Sequence, residues 1–391
     1  MAESVQGPAQ LRAEAWAETR PEPIPEELIT GAAGELPGQL AARVADPLAW
    51  RQTLAHLARQ SLARIDHRGL QMHKLTQVIL RDRLTPGQAA ATHARAEAIL
   101  AASDPGDPAN PATWPQWARL MPHLLAIGLA ATHSPGLPEL ACNACKYLIA
   151  RGDTPTAHDL ASTLRERWRD RFGDDHEHVL AIAHYLGWAL RVMGRYAEAR
   201  DLHRETLDRR RRVLGEDHHE TLRSAHHLVN DLRALGEAQA ARELAQDTLD
   251  RRRRVLGEDH PETLFSGNNL AASLRALGKV QAARDLDQDT LDRKRRILGE
   301  DHPTTLISAH NLAADLRALG ELQAARDLDQ DTLDRKRHIL GEDHPETLSS
   351  AHNLAADLRA LDEADDHPLK PHRDSKPPGD ARRAAGRRQR R

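Results

Sequence analysis

The chain of 391 residues holds only two cysteines, Cys142 and Cys145, and aromatic residues make up 3% of it. One Cys-Asn-Ala-Cys pair cannot build a disulfide framework, which points to a reducing, cytoplasmic setting. With 29% charged residues beside so few rings, the composition suits Leu/Ala-packed helices better than a β-rich domain. Net charge is also lacking: 55 basic against 58 acidic residues leave −3, so overall charge marks neither a nucleic-acid nor a membrane-surface binder. No apolar run approaches the roughly 18 residues of a membrane-spanning helix. Where a signal peptide needs an apolar core, the first residues carry Glu3, Arg12, Glu14, Glu18 and Arg20. A phosphate-cradling G-x-x-x-x-G-K-[ST] loop, a G-x-S-x-G elbow and a paired acid motif are all missing. The expectation is a non-enzymatic chain with no cofactor. No second cysteine pair or His-x-His group completes a metal ligand set around Cys142 and Cys145, and Cys145 falls in a small packing position of the repeat described next.

What the sequence does have is a period of 42 residues. HHETL starts at His218, HPETL at His260, HPTTL at His302 and HPETL at His344, and Gly173, Gly215, Gly257, Gly299 and Gly341 keep the same step. Fixed self-similarity of this kind means a solenoid. Within one unit, Pro261 opens a helix with Leu264, Leu270, Ala271 and Leu274 on one face, and Gly278 stops it. A second amphipathic helix runs from Val280 to Leu298, with Ala283, Leu286, Thr290 and Leu291 on one face, and Gly299 ends it. The LDRKRR run on that second helix reads as a solvated face with pairs four apart, Asp289 with Arg293 and Asp292 with Arg296. His260, His302 and His344 recur once per unit in a DHP turn, which reads as a structural turn or cap rather than a metal cluster.

Leu270, Ala271, Leu274, Gly278 and Ala283 match the tetratricopeptide signature. NNLAASLRALGKVQAARDL and RRVLGEDHPETL closely resemble the 42-residue tetratricopeptide units of kinesin light chains with their LG-x-DHP connection, although Ala245, Asp287 and Asp329 stand where that family has an aromatic residue. The resemblance implies an all-α fold, a right-handed superhelical tetratricopeptide solenoid. Counting back in phase through Gly194 and Gly152 gives five helix pairs plus a capping helix, Pro345 to Leu361, so the repeats are expected over 137–361. A flexible N-terminus (1–20), a small domain (21–86) and a helical connector (87–136) precede them. A disordered basic tail (362–391) follows, carrying a charge of +7 from His367 on.

In the small domain, SLARIDHRGLQMHKLTQVILRDRL reads as strand, DHRG turn, strand and an amphipathic helix from about His73, after helices near Glu26–Ile29 and Pro47–Ser61. PEPIPEELI, SLARI and LQMHKLTQVILRD resemble the winged-helix segment behind the nucleotide-binding core of the signal-transduction ATPases with numerous domains, which include the NB-ARC proteins. There Met72 and His73 occupy a Met-His-Asp motif, with Lys74 in place of the Asp. The order of winged-helix segment, TWPQWARLMPHLLA connection and repeats also resembles the C-terminal portion of actinobacterial tetratricopeptide proteins of the FxSxx-COOH system. Both resemblances imply a sensor module without its NTPase core, either stand-alone or separated from a P-loop partner. DNA binding through the winged helix and the tail is a third reading.

The candidate site is the inner face of the first helices. One position before the reference Leu stand Asn143, Tyr185, His227, Asn269, Asn311 and Asn353, a polar ladder. Six residues further, about 120° round the helix, stand Arg191, Arg233, Arg275, Arg317 and Arg359, with Ala272, Ala314 and Ala356 midway. Amides can bond an extended peptide backbone, and guanidinium groups can grip a carboxylate through two parallel bonds. The expected partner is therefore an acidic or C-terminal peptide segment, with no membrane. Against this stands the reading that the arginines pair with Asp231, Asp315 and Asp357 and only solvate the groove.

Overall fold

The computed structural model describes residues 22–132, 134–342 and 344–366. The readings for the N-terminus before residue 21 and for the tail from His367 lie outside the described residues. Two compact units divide between Gly278 and Lys279.

The first unit opens with α1 (Glu26–Thr30), α2 (Gly38–Ala45) and α3 (Pro47–Arg59), then β1 (Arg64–Asp66), β2 (Gly69–Gln71) and α4 (Lys74–Asp82). Asp46 caps α3 by accepting from the Leu48 N–H at 2.9 Å, with Pro47 in the first turn where no donor is missed. The strands pair antiparallel with Ile65 opposite Leu70. Ile24 adds a bridge on the free edge of β2, exchanging both backbone bonds with Leu70. Gly69 makes that approach possible: φ is +125°, and a Cβ there would lie 2.1 Å from the Ile24 carbonyl oxygen. Val44, Trp50, Leu54, Ala63 and Leu70 form the small core beneath. α2 is an element the sequence reading did not anticipate; Pro37 starts it and only Val44 is buried on it.

Next come α5 (Pro86–Ala101) and α6 (Trp114–Ile127), and then the array: α7 (Leu137–Ala150), α8 (Thr154–Phe172), α9 (Glu177–Val192), α10 (Tyr196–Leu214), α11 (His219–Ala234), α12 (Ala238–Leu256) and α13 (Pro261–Ala276). A continuous apolar core runs from Leu100 through Trp117 and Tyr147, whose rings stack at 5.6 Å, to Leu202. Cys142 and Cys145 are buried in it as free thiols, and burial pushes the Cys142 thiol up to about 12.

Each pair is punctuated alike. The turn glycines Gly194 and Gly236 have φ of 77° and 76°, a left-handed conformation that side chains with a Cβ disfavour. Each second helix seats a fully buried alanine in its first turn, Ala157, Ala199 and Ala241 at 0% exposure, so the paired helices approach closely there. The recurring turn histidines are N-caps: Nδ1 of His218 and of the DHP residue His260 each accepts a backbone N–H two residues on at 3.2 Å.

The second unit repeats this plan in α14 (Val280–Leu298), α15 (Pro303–Ala318), α16 (Leu322–Leu340) and α17 (Pro345–Asp366), around Leu291, Ala309, Leu312, Leu316 and Ala325. α17 runs past Leu361, where the sequence reading ends it, because Asp362 replaces the glycine that breaks the helix in other units.

Candidate functional site

Within the first unit the first helices pack on one another directly, α9 against both α7 and α11, and α11 against α13. Successive copies of one face therefore line up side by side. Asn143, Tyr185, His227 and Asn269 all lie half-buried on it. Asn143 Nδ2 reaches Asp104 at 3.4 Å, and Tyr185 meets the His184 ring edge-on at 4.8 Å, with burial pushing its hydroxyl up to about 12. Asn269 is turned to the His226 ring of the preceding first helix. In the second unit Asn353 makes the same contact with His310 Nδ1 at 3.1 Å, Asn311 is half-buried, and Ala314 and Ala356 are half-buried as Ala272 is in the first.

The arginine ladder is less uniform. Arg191 Nε lies 3.9 Å from the buried Asp231 carboxylate. Arg233 donates to Asn230 Oδ1 at 3.3 Å. Arg275 is half-buried, and burial together with the charges of Arg275 and Arg191 pushes the pKa of Arg233 down. Arg317 donates to Asp329 at 2.8 Å and to Asp357, so it is neutralised within the second unit. Arg359 is exposed and donates to the Ala355 carbonyl at 3.0 Å.

Behind the first unit's face lies a cluster the sequence reading missed. His184, His203, His226 and His227 stand together, with ring centroids 4.2 Å apart for His184 and His227 and 5.6 Å for His203 and His227. His203 Nδ1 bonds Asp231 at 2.5 Å, and both are buried. Burial, joined by Arg223 and the neighbouring rings, pushes His184 and His227 far down, and burial takes His226 to about 3. His184 and His226 are 42 residues apart, in register with His310 and His352, but His203 and His227 have no counterpart one period away, and only the tertiary packing gathers the four. Among the described residues no group of histidine, cysteine and carboxylate side chains is arranged to hold a metal ion.

The basic runs need a correction as well. Asp289 does pair with Arg293, at 2.9 Å. Asp292 accepts from Gln288 at 3.0 Å. One cation per run, however, is buried rather than solvated: Arg210, Arg252, Lys294 and Lys336, again 42 apart. Arg252 donates to Ser266 Oγ at 2.9 Å and to the Glu262 carbonyl at 3.0 Å, and Arg210 makes the equivalent bonds to Ser224 and Glu220. These cations stitch each second helix to the first helix that follows it.

Two tetratricopeptide repeat profiles match the chain, one over residues 179–220 and 221–262, the other over 265–338 and 308–366. The helical array is a tetratricopeptide solenoid. No curated protein matches the chain. Among solved structures it is similar to a Podosopora anserina kinesin light chain of nearly identical TPR-like repeats, at 25% identity over 51% of this chain and 95% of that one, with a TM-score of 0.46. BtubC from P. vanneervenii matches at 19% identity over 59% of this chain and 89% of that one, TM-score 0.45. A signal-transduction ATPase with numerous domains from Pyrococcus horikoshii, carrying a tetratricopeptide repeat sensor, matches at 10% identity over 93% of this chain and 59% of that one, TM-score 0.42.

Proposed function

We propose that the tetratricopeptide array is a non-enzymatic scaffold that binds an extended protein or peptide segment along the face of its first helices. The observation that carries the reading is the row of half-buried polar side chains, Asn143, Tyr185, His227 and Asn269, set one per repeat on first helices that pack side by side. A strip of this kind offers hydrogen bonds at regular intervals along an extended backbone. The half-buried Ala272 between the two ladders of the first unit leaves room for it. The test fills that room: an Ala272→Trp variant, shown by circular dichroism to be folded, is compared with wild type on an array of random twelve-residue peptides. Peptides retained by wild type and lost by the variant support the reading; equal retention by both removes it.

A second reading is favoured by one observation in the small domain, which we infer to be winged-helix-like. Helix α4 leaves Leu75, Val78, Ile79 and Leu80 exposed at 62%, 42%, 46% and 42%, apolar side chains that a docked partner would cover. This fits the sensor half of an NTPase whose core is a separate, cytoplasmic P-loop protein. Co-purification with a P-loop protein encoded beside it, lost on Val78→Asp, supports that reading, and its failure leaves the peptide-binding reading untouched.

A further inference from the structure

The rungs of the arginine ladder differ in what neutralises them, and the difference is written at two fixed spacings. Arg317 bonds Asp329, 12 residues on, and Asp357, 40 residues on. Arg191 has Asp231 at the second spacing, 3.9 Å away, and at the first has His203, itself bonded to that Asp. Arg275 is followed by Asp287 and Asp315 at the same two positions. Arg233 breaks the rule: its two positions hold Ala245 and Ser273, neither of which can carry charge. Both are buried, and the Ser273 hydroxyl is directed to the Asn269 carbonyl at 2.9 Å.

The consequence is local. Arg233 is half-buried and its hydrogen-bond partner is a neutral amide, Asn230 Oδ1; among the described residues no carboxylate lies within ion-pair distance of it. Arg191 and Arg275 add positive potential from either side. The guanidinium is also held in place, because Asn230 Nδ2 is anchored on the His226 carbonyl at 3.2 Å and the His226 ring stacks on Phe265 at 4.5 Å. A fixed, partly desolvated cation flanked by like charges binds an anion more strongly than one in water.

We propose that Arg233 is the carboxylate seat of the scaffold: the bound segment supplies the acid that Ala245 and Ser273 omit, and this single rung sets both the ligand's charge and its register. The inference rests on the peptide-binding reading and narrows it to segments bearing one acidic side chain or a free C-terminus at that point. Glu and Gln versions of each retained peptide, with free or amidated C-termini, separate those two sources.

The test uses the full chain in low salt on the same peptide array, with Arg233→Gln and, separately, an Ala245→Asp, Ser273→Asp variant. The second variant installs the two acids that the Arg317 rung carries at these spacings, and so neutralises Arg233 from within. Wild type is expected to prefer acid-bearing peptides, and each variant to lose that preference by at least tenfold while retaining its circular dichroism. Acid-bearing peptides held equally by wild type and either variant overturn the seat and leave the groove standing. A wild type that holds Gln, amidated peptides as well as acidic ones overturns it too. Retention of no peptide by wild type overturns the groove itself, and the seat with it.

Discussion

Gly187 stands where one methyl group would enter the His203 ring: a Cβ there would lie 2.4 Å from Nε2. The backbone of α9 approaches α10 closely at that point because the ring needs the space. His203 cannot retreat, since its other nitrogen is bonded to Asp231. Gly187→Ala is expected to lower stability by about 1–3 kcal/mol, the cost of overpacking, despite the better helix propensity of alanine; a urea titration reads it. Burial decides the buried cations in the same way. Arg252→Met strands Ser266 Oγ and the Glu262 carbonyl and should cost about 1–3 kcal/mol, whereas Arg293→Met, on the exposed pair with Asp289, should cost under about 1 kcal/mol. In the sequence both are arginines in a basic run. Their difference is a rotation about the helix axis, legible only once the 42-residue register places Arg252 opposite Ser266.

Among the elements, those with repeated punctuation were legible to the residue. α13 begins at Pro261 and α14 spans Val280–Leu298 because the His cap, the Pro after it and the turn Gly mark their ends. α2 and the extension of α17 carry no such mark, and they were missed. The histidine cluster was missed for a related reason: His184 and His226 repeat, but His203 and His227, which complete it across α9, α10 and α11, do not. Its chemistry predicts how those helices respond to acid. His184, His226 and His227 are held below the ordinary value of 6.5 by burial. Folded chains therefore refuse protons that unfolded chains accept: the cluster leaves stability intact above about pH 6.5 and erodes it as pH falls below. Each histidine contributes a slope of about 1.4 kcal/mol per pH unit. Urea midpoints should fall steeply between pH 7 and 5.5, and replacing His184 and His227 by glutamine should flatten the fall. An unchanged slope in that variant would place the acid sensitivity elsewhere.

Across the whole molecule, the two units bury different titratable groups, and each unit gains stability with rising pH in its own window. The first unit buries Arg210 and Arg252, each within 2.6 Å of a glutamate, Glu220 and Glu262. The second buries Lys294, where the corresponding position of the next helix is Thr304 and the lysine reaches its carbonyl at 3.3 Å. Burial lowers Lys294 from 10.5 to about 8, while even the lowered Arg210 stays near 10. Between pH 8 and 10.5 the unfolded chain keeps a proton on Lys294 that the folded chain has shed. Stability of the second unit should therefore rise with pH across that window, by up to about 3 kcal/mol. The first unit gains no such term from its arginines, which keep their protons over most of it, and it is the unit that acid loosens. Hydrogen exchange followed by mass spectrometry, resolved by peptide, measures both at once: protection over residues 177–256 should fall on going from pH 7 to 5.5, and protection over 280–340 should rise from pH 8 to 10 after correction for intrinsic exchange. Lys294→Met should abolish the alkaline rise and leave the acid loss unchanged, because the two effects arise from different groups in different units.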